Sequence, residues 1–262
     1  MITIGVDVGG TFTDLVLRDG RTGAMRSLKT PSTPEDLARG VMNAIRQAEV
    51  PDADIAGITH GMTVATNTAL EMNGARLGVL TTEGHRDVLV VGRGNRTRLY
   101  DIKAVRPSPL VPRRRILEVS ERLTASGTVH KPLDEEQVIA ACRHLQAAEV
   151  EAIAICFLHA YANSSHELRA AEIVRTQLPG VPVSLSHEIL PEYREFERFS
   201  TTALNAYVGP KVSGYLNTLS SNLTTSGIDA PLRIMGSNGG TWRAAAMAAE
   251  PVAAFLAVAL PR

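Results

Sequence analysis

Aromatic residues are scarce in this chain, at 4% of its 262 residues. Surfaces that stack nucleic-acid bases are built on aromatic rings, so a single-strand binding platform is not expected. Net charge is missing as well. Lys+Arg and Asp+Glu both number 27, which leaves no global field to attract nucleic acid or an anionic membrane. Cysteine is limited to Cys142 and Cys156. Both lie in apolar contexts without metal-ligand spacing, so both read as buried structural thiols. The longest uncharged apolar run, Val252–Leu260, is far too short to cross a bilayer. The N-terminus lacks a basic region followed by an apolar core and a cleavage site. The expectation is a soluble cytoplasmic protein with no nucleic-acid or membrane partner. Two nucleotide fingerprints are also missing: no G-x-G-x-x-G opens a helix, and no G-K-[ST] follows a glycine loop.

What is present is a substantial core. Hydrophobic residues make up 44% of the chain, and the length fits one large domain or two smaller ones. Strand-like runs occur at Thr3–Val8, Thr13–Leu17, Met25–Lys29, Ile55–Thr59, Leu77–Thr81, Ile153–Phe157, Val181–Leu185 and Leu232–Met235. Helical patterns cover Pro34–Ala48, Val64–Met72, Asp134–Ala148 and Ser164–Gln177. A further helix starts at Glu192, breaks near Leu204 and resumes to Leu223. Alternating buried strands and amphipathic helices argue an α/β fold. Three strands precede the first helix, so the sheet begins as an antiparallel meander that feeds parallel β–α units. Gly92–Arg115, with three prolines and seven arginines, reads as an irregular surface loop whose arginines are either solvated or meet anions.

Three clusters carry candidate chemistry. Ile2–Leu17 (ITIGVDVGGTFTDLVL) is a strand ending at Asp7, a turn through Gly9 and Gly10, and a second strand. Glycines give such a turn positive φ without a steric penalty. Its main-chain N–H groups can then face one concavity and hold phosphate oxygens. Thr11 and Thr13 would add hydroxyls, and Asp7 or Asp14 would hold Mg²⁺ through water. A bare hairpin turn would use the same two glycines. The second cluster, HGMTVATN (His60–Asn67), follows an apolar strand. It puts His60, Thr63, Thr66 and Asn67 at the carboxyl edge of a sheet, where α/β proteins bind ligands. Helix capping beside a satisfied histidine explains these residues equally. Third, Ser237-Asn238-Gly239-Gly240 ends the last strand with small residues that permit close ligand approach. In Glu188–Arg198, Tyr193, Phe196 and Phe199 fit a helical core stripe, and the charged residues fit a solvated face.

These residues resemble the hydantoinase A/5-oxoprolinase family, whose relatives include acetone and acetophenone carboxylase subunits. The resemblance rests on Gly5–Asp14, His60–Arg93, Leu99-Tyr100-Asp101, Phe157–Glu167, Leu185–Pro210 and Met235–Gly240, in that order. It implies an α/β fold of the actin/Hsp70/sugar-kinase (RNase H-like) type, with 1–185 as the N-terminal domain. Residues 186–262 would begin a second, truncated domain. It also implies ATP-dependent hydrolysis of a cyclic amide, hydantoin- or 5-oxoproline-like, through phosphorylation of the carbonyl oxygen. ATP and Mg²⁺ would be the cofactors, and a hydantoinase B-like subunit a partner. Asp7, Gly9, Gly10, Thr11, Thr13, Asn238, Gly239 and Gly240 would bind the nucleotide, and Asp7 and Asp14 the metal. His60, Thr63, Thr66 and Asn67 would be catalytic. Met62 stands where the family carries a small polar residue. After SNGG the family continues into a glycine-rich segment, a second phosphate loop and the adenosine site, whereas this chain reads PVAAFLAVALPR. A truncated, non-catalytic nucleotide-binding subunit is the alternative to a complemented enzyme.

Overall fold

Residues 1–9, 11–33, 35–95, 100–101, 103 and 108–255 are described by the computed structural model. Gly10, Pro34, part of the arginine-rich loop and the end of the Val252–Leu260 run lie outside the described residues. The elements begin with β1 (Ile2–Val8), β2 (Phe12–Asp19), β3 (Met25–Pro31), α1 (Leu37–Gln47), β4 (Ile55–Met62) and α2 (Val64–Leu70). Next come β5 (Leu77–Thr82), α3 (Val88–Val91), β6 (Ile116–Val119), β7 (Arg122–Leu123), β8 (Val129–Lys131), α4 (Glu135–Ala147) and β9 (Ala152–Cys156). The chain continues through α5 (Ser165–Gln177), β10 (Val183–Leu185), α6 (Ser186–Ile189) and α7 (Glu195–Thr225). It closes with β11 (Leu232–Met235), β12 (Thr241–Arg243) and α8 (Ala244–Ala249).

Two compact units result, one combining Met1–Glu71 with Lys211–Arg262 and the other spanning Met72–Pro210. The division at residue 185 follows motif order, whereas this packing boundary falls at Pro210.

The first unit is built on a six-stranded sheet in the order β12-β11-β4-β1-β2-β3. β1, β2 and β3 form the antiparallel meander, and β4 and β11 add parallel to it. Period-two alternation decides which side chains face the core. Ile4, Val6 and Val8 of β1 point one way with Leu15 and Leu17 of β2. They pack against Val41, Met42, Ala44 and Ile45 of α1 and against Leu219 and Leu223 of α7. The opposite face carries Gly5, Asp7, Asp14 and Val16, and it lines a cleft.

The second unit has a four-stranded sheet, β10-β9-β5-β6, in which every pairing is parallel. Such sheets are buried on both faces, and β5 and β9 are buried at every position. α4 and α5 cover one face through Val138, Cys142, Leu145, Ala170 and Val174. α4 approaches so closely that a Cβ on Gly78 would stand 2.7 Å from Leu145 Cδ2. Both cysteines are free and buried, as expected.

The expected break near Leu204 is absent. α7 runs without interruption through Pro210, although a proline inside a helix removes one main-chain donor and crowds the carbonyl four residues back. Val208, Val212, Leu216 and Leu219 are buried on either side of it and hold the helix continuous. Tyr193 also departs from the expected stripe: it precedes α7 and is exposed, whereas Phe199 is buried.

Candidate functional site

The cleft of the first unit is set out by strand register. Asp7 of β1 lies opposite Asp14 of β2 on one side and Gly61 of β4 on the other. Gly5 sits next along β1 on the same face, between Val16 and Thr59. Two carboxylates therefore face each other across neighbouring strands, beside two positions, Gly5 and Gly61, that carry no side chain. Like charges in directly opposed positions destabilise a sheet unless a cation shares them. A Cβ on Gly61 would stand 3.2 Å from Asp7 Oδ1, so only glycine leaves that carboxylate free to turn. The cleft measures about 540 Å³, and its wall includes Met62, Thr63, Met235, Gly236 and Ser237. Thr63 Oγ donates to the Val8 carbonyl at 3.3 Å, and Asn67 Nδ2 donates to Thr63 Oγ at 3.4 Å, tying the start of α2 to the end of β1. Thr66 lies on α2, half-buried.

Several expected site residues face elsewhere. His60 alternates onto the core face with Ile58 and is fully buried. Its Nδ1 lies 3.3 Å from the Val6 carbonyl and its Nε2 lies 2.6 Å from the Tyr215 hydroxyl. A carbonyl only accepts, so Nδ1 carries the proton and Nε2 accepts from Tyr215. Burial pushes the imidazole down to about 4 and raises the Tyr215 phenol, so both are neutral at pH 7. His60 is thus a core residue rather than a member of the cleft.

Thr13 is likewise buried on the core face, with Oγ1 3.0 Å from Ser32 Oγ. It cannot add a hydroxyl beside Asp7. Gly9 does not have positive φ, and its N–H donates to the Phe12 carbonyl at 2.9 Å. That amide is occupied inside the turn, while the Gly9 carbonyl accepts from Ser32 Oγ at 2.7 Å. Gly10 lies outside the described residues, and Thr11 is exposed beyond the strand end. Asn238, Gly239 and Gly240 form the β11–β12 turn. Gly239 has φ +81°, and the Asn238 side chain accepts from the Gly240 N–H at 3.0 Å. The cleft is lined by the preceding Gly236 and Ser237.

Thr59, Gly61 and Gly236 line the cleft without having been assigned a role from the sequence. Gly61 was the most legible of them, since a glycine two positions from a strand's polar end marks close approach. Asp14 also pairs with Lys29 at 3.1 Å, an exposed contact of little energy. Among the described residues no group of three His, Cys, Asp or Glu side chains could hold a metal. A divalent ion here would take most of its ligands from water and phosphate, as Mg²⁺ does. The residues fit that ion.

Residues 3–178 match the family model for the hydantoinase/oxoprolinase N-terminal region, and residues 198–258 match the hydantoinase/oxoprolinase model. The chain belongs to the hydantoinase/oxoprolinase family. Caprolactamase subunit alpha of Pseudomonas jessenii is 36% identical over 249 residues, covering 90% of this chain and 35% of that one. The crystal structure of the ATP-dependent caprolactamase from the same organism superposes with a TM-score of 0.85 at 34% identity, over 96% of this chain and 38% of that one. Nucleotide-free acetone carboxylase gives a TM-score of 0.84 at 28% identity, over 96% and 38%. The fold is therefore the α/β actin-like type that the family resemblance implied. The chain spans about a third of the length of the curated relatives it matches (35%). No helix among the described residues is long and apolar enough to cross a membrane.

Proposed function

We propose that this hydantoinase/oxoprolinase-family chain supplies a nucleotide-phosphate site for ATP-dependent hydrolysis of a cyclic amide. The carrying observation is the row Asp14–Asp7–Gly61, two opposed carboxylates beside a glycine inside the cleft. Asp7 and Asp14 hold Mg²⁺ through water, and Mg²⁺ neutralises charge on the phosphates of ATP when bound. Thr11, Thr63 and Ser237 supply hydroxyls at the margin.

The chemical need is plain. A ring amide is a poor electrophile with a poor leaving group. Transfer of a phosphoryl group to its carbonyl oxygen breaks the bond to ADP and leaves a carbon that water attacks. The adduct then expels the ring nitrogen, which takes a proton as the C–N bond breaks, and the acyl phosphate left behind is hydrolysed by a second water to carboxylate and phosphate. Positioning and electrostatic stabilisation supply most of the acceleration in such transfers. The named activity of the caprolactamase relative, and its designation as an alpha subunit, support both the reaction class and a hydantoinase B-like partner. Residues 1–185 act as the N-terminal domain and 186–262 as the beginning of the second, in a cytoplasmic enzyme.

A second reading, a nucleotide-binding subunit without turnover of its own, draws on the burial of His60. With His60 bonded to Tyr215 and Val6, Asp7 and Asp14 are the only acidic or basic side chains among the described residues that line the cleft. An ATPase assay with hydantoin or 5-oxoproline, alongside MgADP titration, separates the two. Ring-stimulated ATP turnover supports the enzyme, and MgADP binding without turnover supports the binding subunit. Absence of both overturns the site itself.

A further inference from the structure

The turn between β1 and β2 closes on itself through a main-chain bond. Gly9 N–H donates to the Phe12 carbonyl at 2.9 Å, and a Cβ on Gly9 would stand 3.0 Å from that same oxygen. Position 9 is therefore glycine for close approach. A peptide beside glycine rotates with little steric penalty, so the turn needs a restraint from outside if its carbonyls are to keep one direction.

One residue in the connection between β3 and α1 supplies that restraint. Ser32 N–H donates to the Thr11 carbonyl at 2.9 Å, and Ser32 Oγ donates to the Gly9 carbonyl at 2.7 Å. A serine hydroxyl has a single proton and a carbonyl only accepts. The Thr13 hydroxyl, 3.0 Å away, therefore donates to Ser32 Oγ. A directed chain results, from Thr13 through Ser32 to Gly9. Thr13 is fully buried on the core face of β2, so the chain draws the Gly9 carbonyl toward the core side, away from the face that carries Asp7 and Asp14. α1 backs this connection closely. A Cβ on Gly40 would stand 2.9 Å from Thr33 Oγ1 and 3.7 Å from Thr13 Oγ1. Glycine inside a helix costs about 1 kcal/mol relative to alanine, and the close approach accounts for its presence there.

The Gly9, Thr11 and Phe12 carbonyls thus all have donors, and Ser32 provides two of them. This matters for anions. A main-chain turn holds phosphate oxygens through its N–H groups, and a carbonyl oxygen rotated into the same concavity repels them. We infer that Ser32 is a positioning residue for the cleft, holding the Gly9 and Thr11 carbonyls back from the phosphates of a bound nucleotide. The inference rests on the reading of the cleft as a nucleotide-phosphate site, and it gives Ser32 no contact with the nucleotide itself. Ser32→Ala releases the Gly9 carbonyl. Thr13→Val removes a hydroxyl from the same chain but leaves the Ser32–Gly9 bond in place.

The test compares the full chain with these two variants by two readouts. The Gly9 carbonyl ¹³C resonance, read without nucleotide, reports the hydrogen bond itself. It should move upfield in Ser32→Ala and stay near its native position in Thr13→Val. Calorimetric titration with MgADP reports the consequence. Ser32→Ala should bind about tenfold more weakly, the weight of one hydrogen bond, whereas Thr13→Val should lose melting temperature and keep its affinity. An unmoved Gly9 resonance or an unchanged MgADP affinity in Ser32→Ala would overturn the assignment. An equal loss of affinity in Thr13→Val would also overturn it, because general loosening of the turn would then be the cause. If the Gly9 resonance moves as expected but the native chain binds no MgADP, the phosphate-site reading falls and takes this role with it.

Discussion

His60 illustrates how one residue's environment decides its role. The same imidazole at the rim of the cleft would be a proton acceptor; on the core face it is a neutral link between Val6 and Tyr215. Burial lowers it from 6.5 to about 4, so between those values the unfolded chain takes up a proton that the folded chain refuses. Stability is therefore fully present above pH 6.5 and is lost as pH falls toward 4, by about 3 kcal/mol at 1.36 kcal/mol per pH unit. Urea unfolding at pH 7 and pH 4.5 should show that loss in the native chain, and His60→Gln should flatten it. Tyr215→Phe leaves Nε2 without its donor and should cost about 1–3 kcal/mol at pH 7; an unchanged urea midpoint would contradict the assigned tautomer. At Gly61 the argument is steric. Gly61→Ala would push a methyl group to 3.2 Å from Asp7 Oδ1, and it should weaken MgADP in calorimetry while leaving the melting temperature nearly unchanged.

Helix ends and strand edges show what the sequence can and cannot convey about elements. α4 opens at Asp134, whose carboxylate accepts from the Gln137 N–H at 3.1 Å, while the Gln137 side chain accepts from Ser120 N–H at 2.9 Å. Asp134→Ala should therefore cost about 1 kcal/mol in thermal or urea unfolding, and more if the end of β6 loosens with it. α1 opens at Asp36, which accepts from Arg39 N–H at 2.9 Å, and not at Thr33, the residue that precedes the Pro34–Ala48 helical pattern. Thr33 Oγ1 is instead buried without a partner. Long, strongly patterned elements such as β1, β5, α4 and α5 were legible from apolar periodicity alone. The short ones were not: β7, β8 and β12 span two or three residues and are mostly half-exposed or exposed, so no periodicity develops. The candidate site was legible to the same degree. Asp7 and Asp14 could be read from the strand–turn–strand pattern, but face could not. Thr13 lies one residue from Asp14, and period-two alternation turns it into the core.

At the scale of the whole molecule, each unit presents polar groups on a sheet whose other side is sealed by helices. In the first unit they lie on the sheet face opposite α1, and in the second at the carboxyl ends of four parallel strands. Asp7→Asn keeps the side chain's size and removes its charge, so it should lower ATP turnover in the assembled enzyme by about 10²-fold or more. The most direct measurement replaces Mg²⁺ with paramagnetic Mn²⁺, together with a non-hydrolysable ATP analogue, and maps amide line broadening along the chain. Broadening centred on Gly5, Gly61 and Ser237, and abolished by Asp7→Asn, is the result this account predicts. Broadening centred elsewhere, or unaltered in Asp7→Asn, would contradict it.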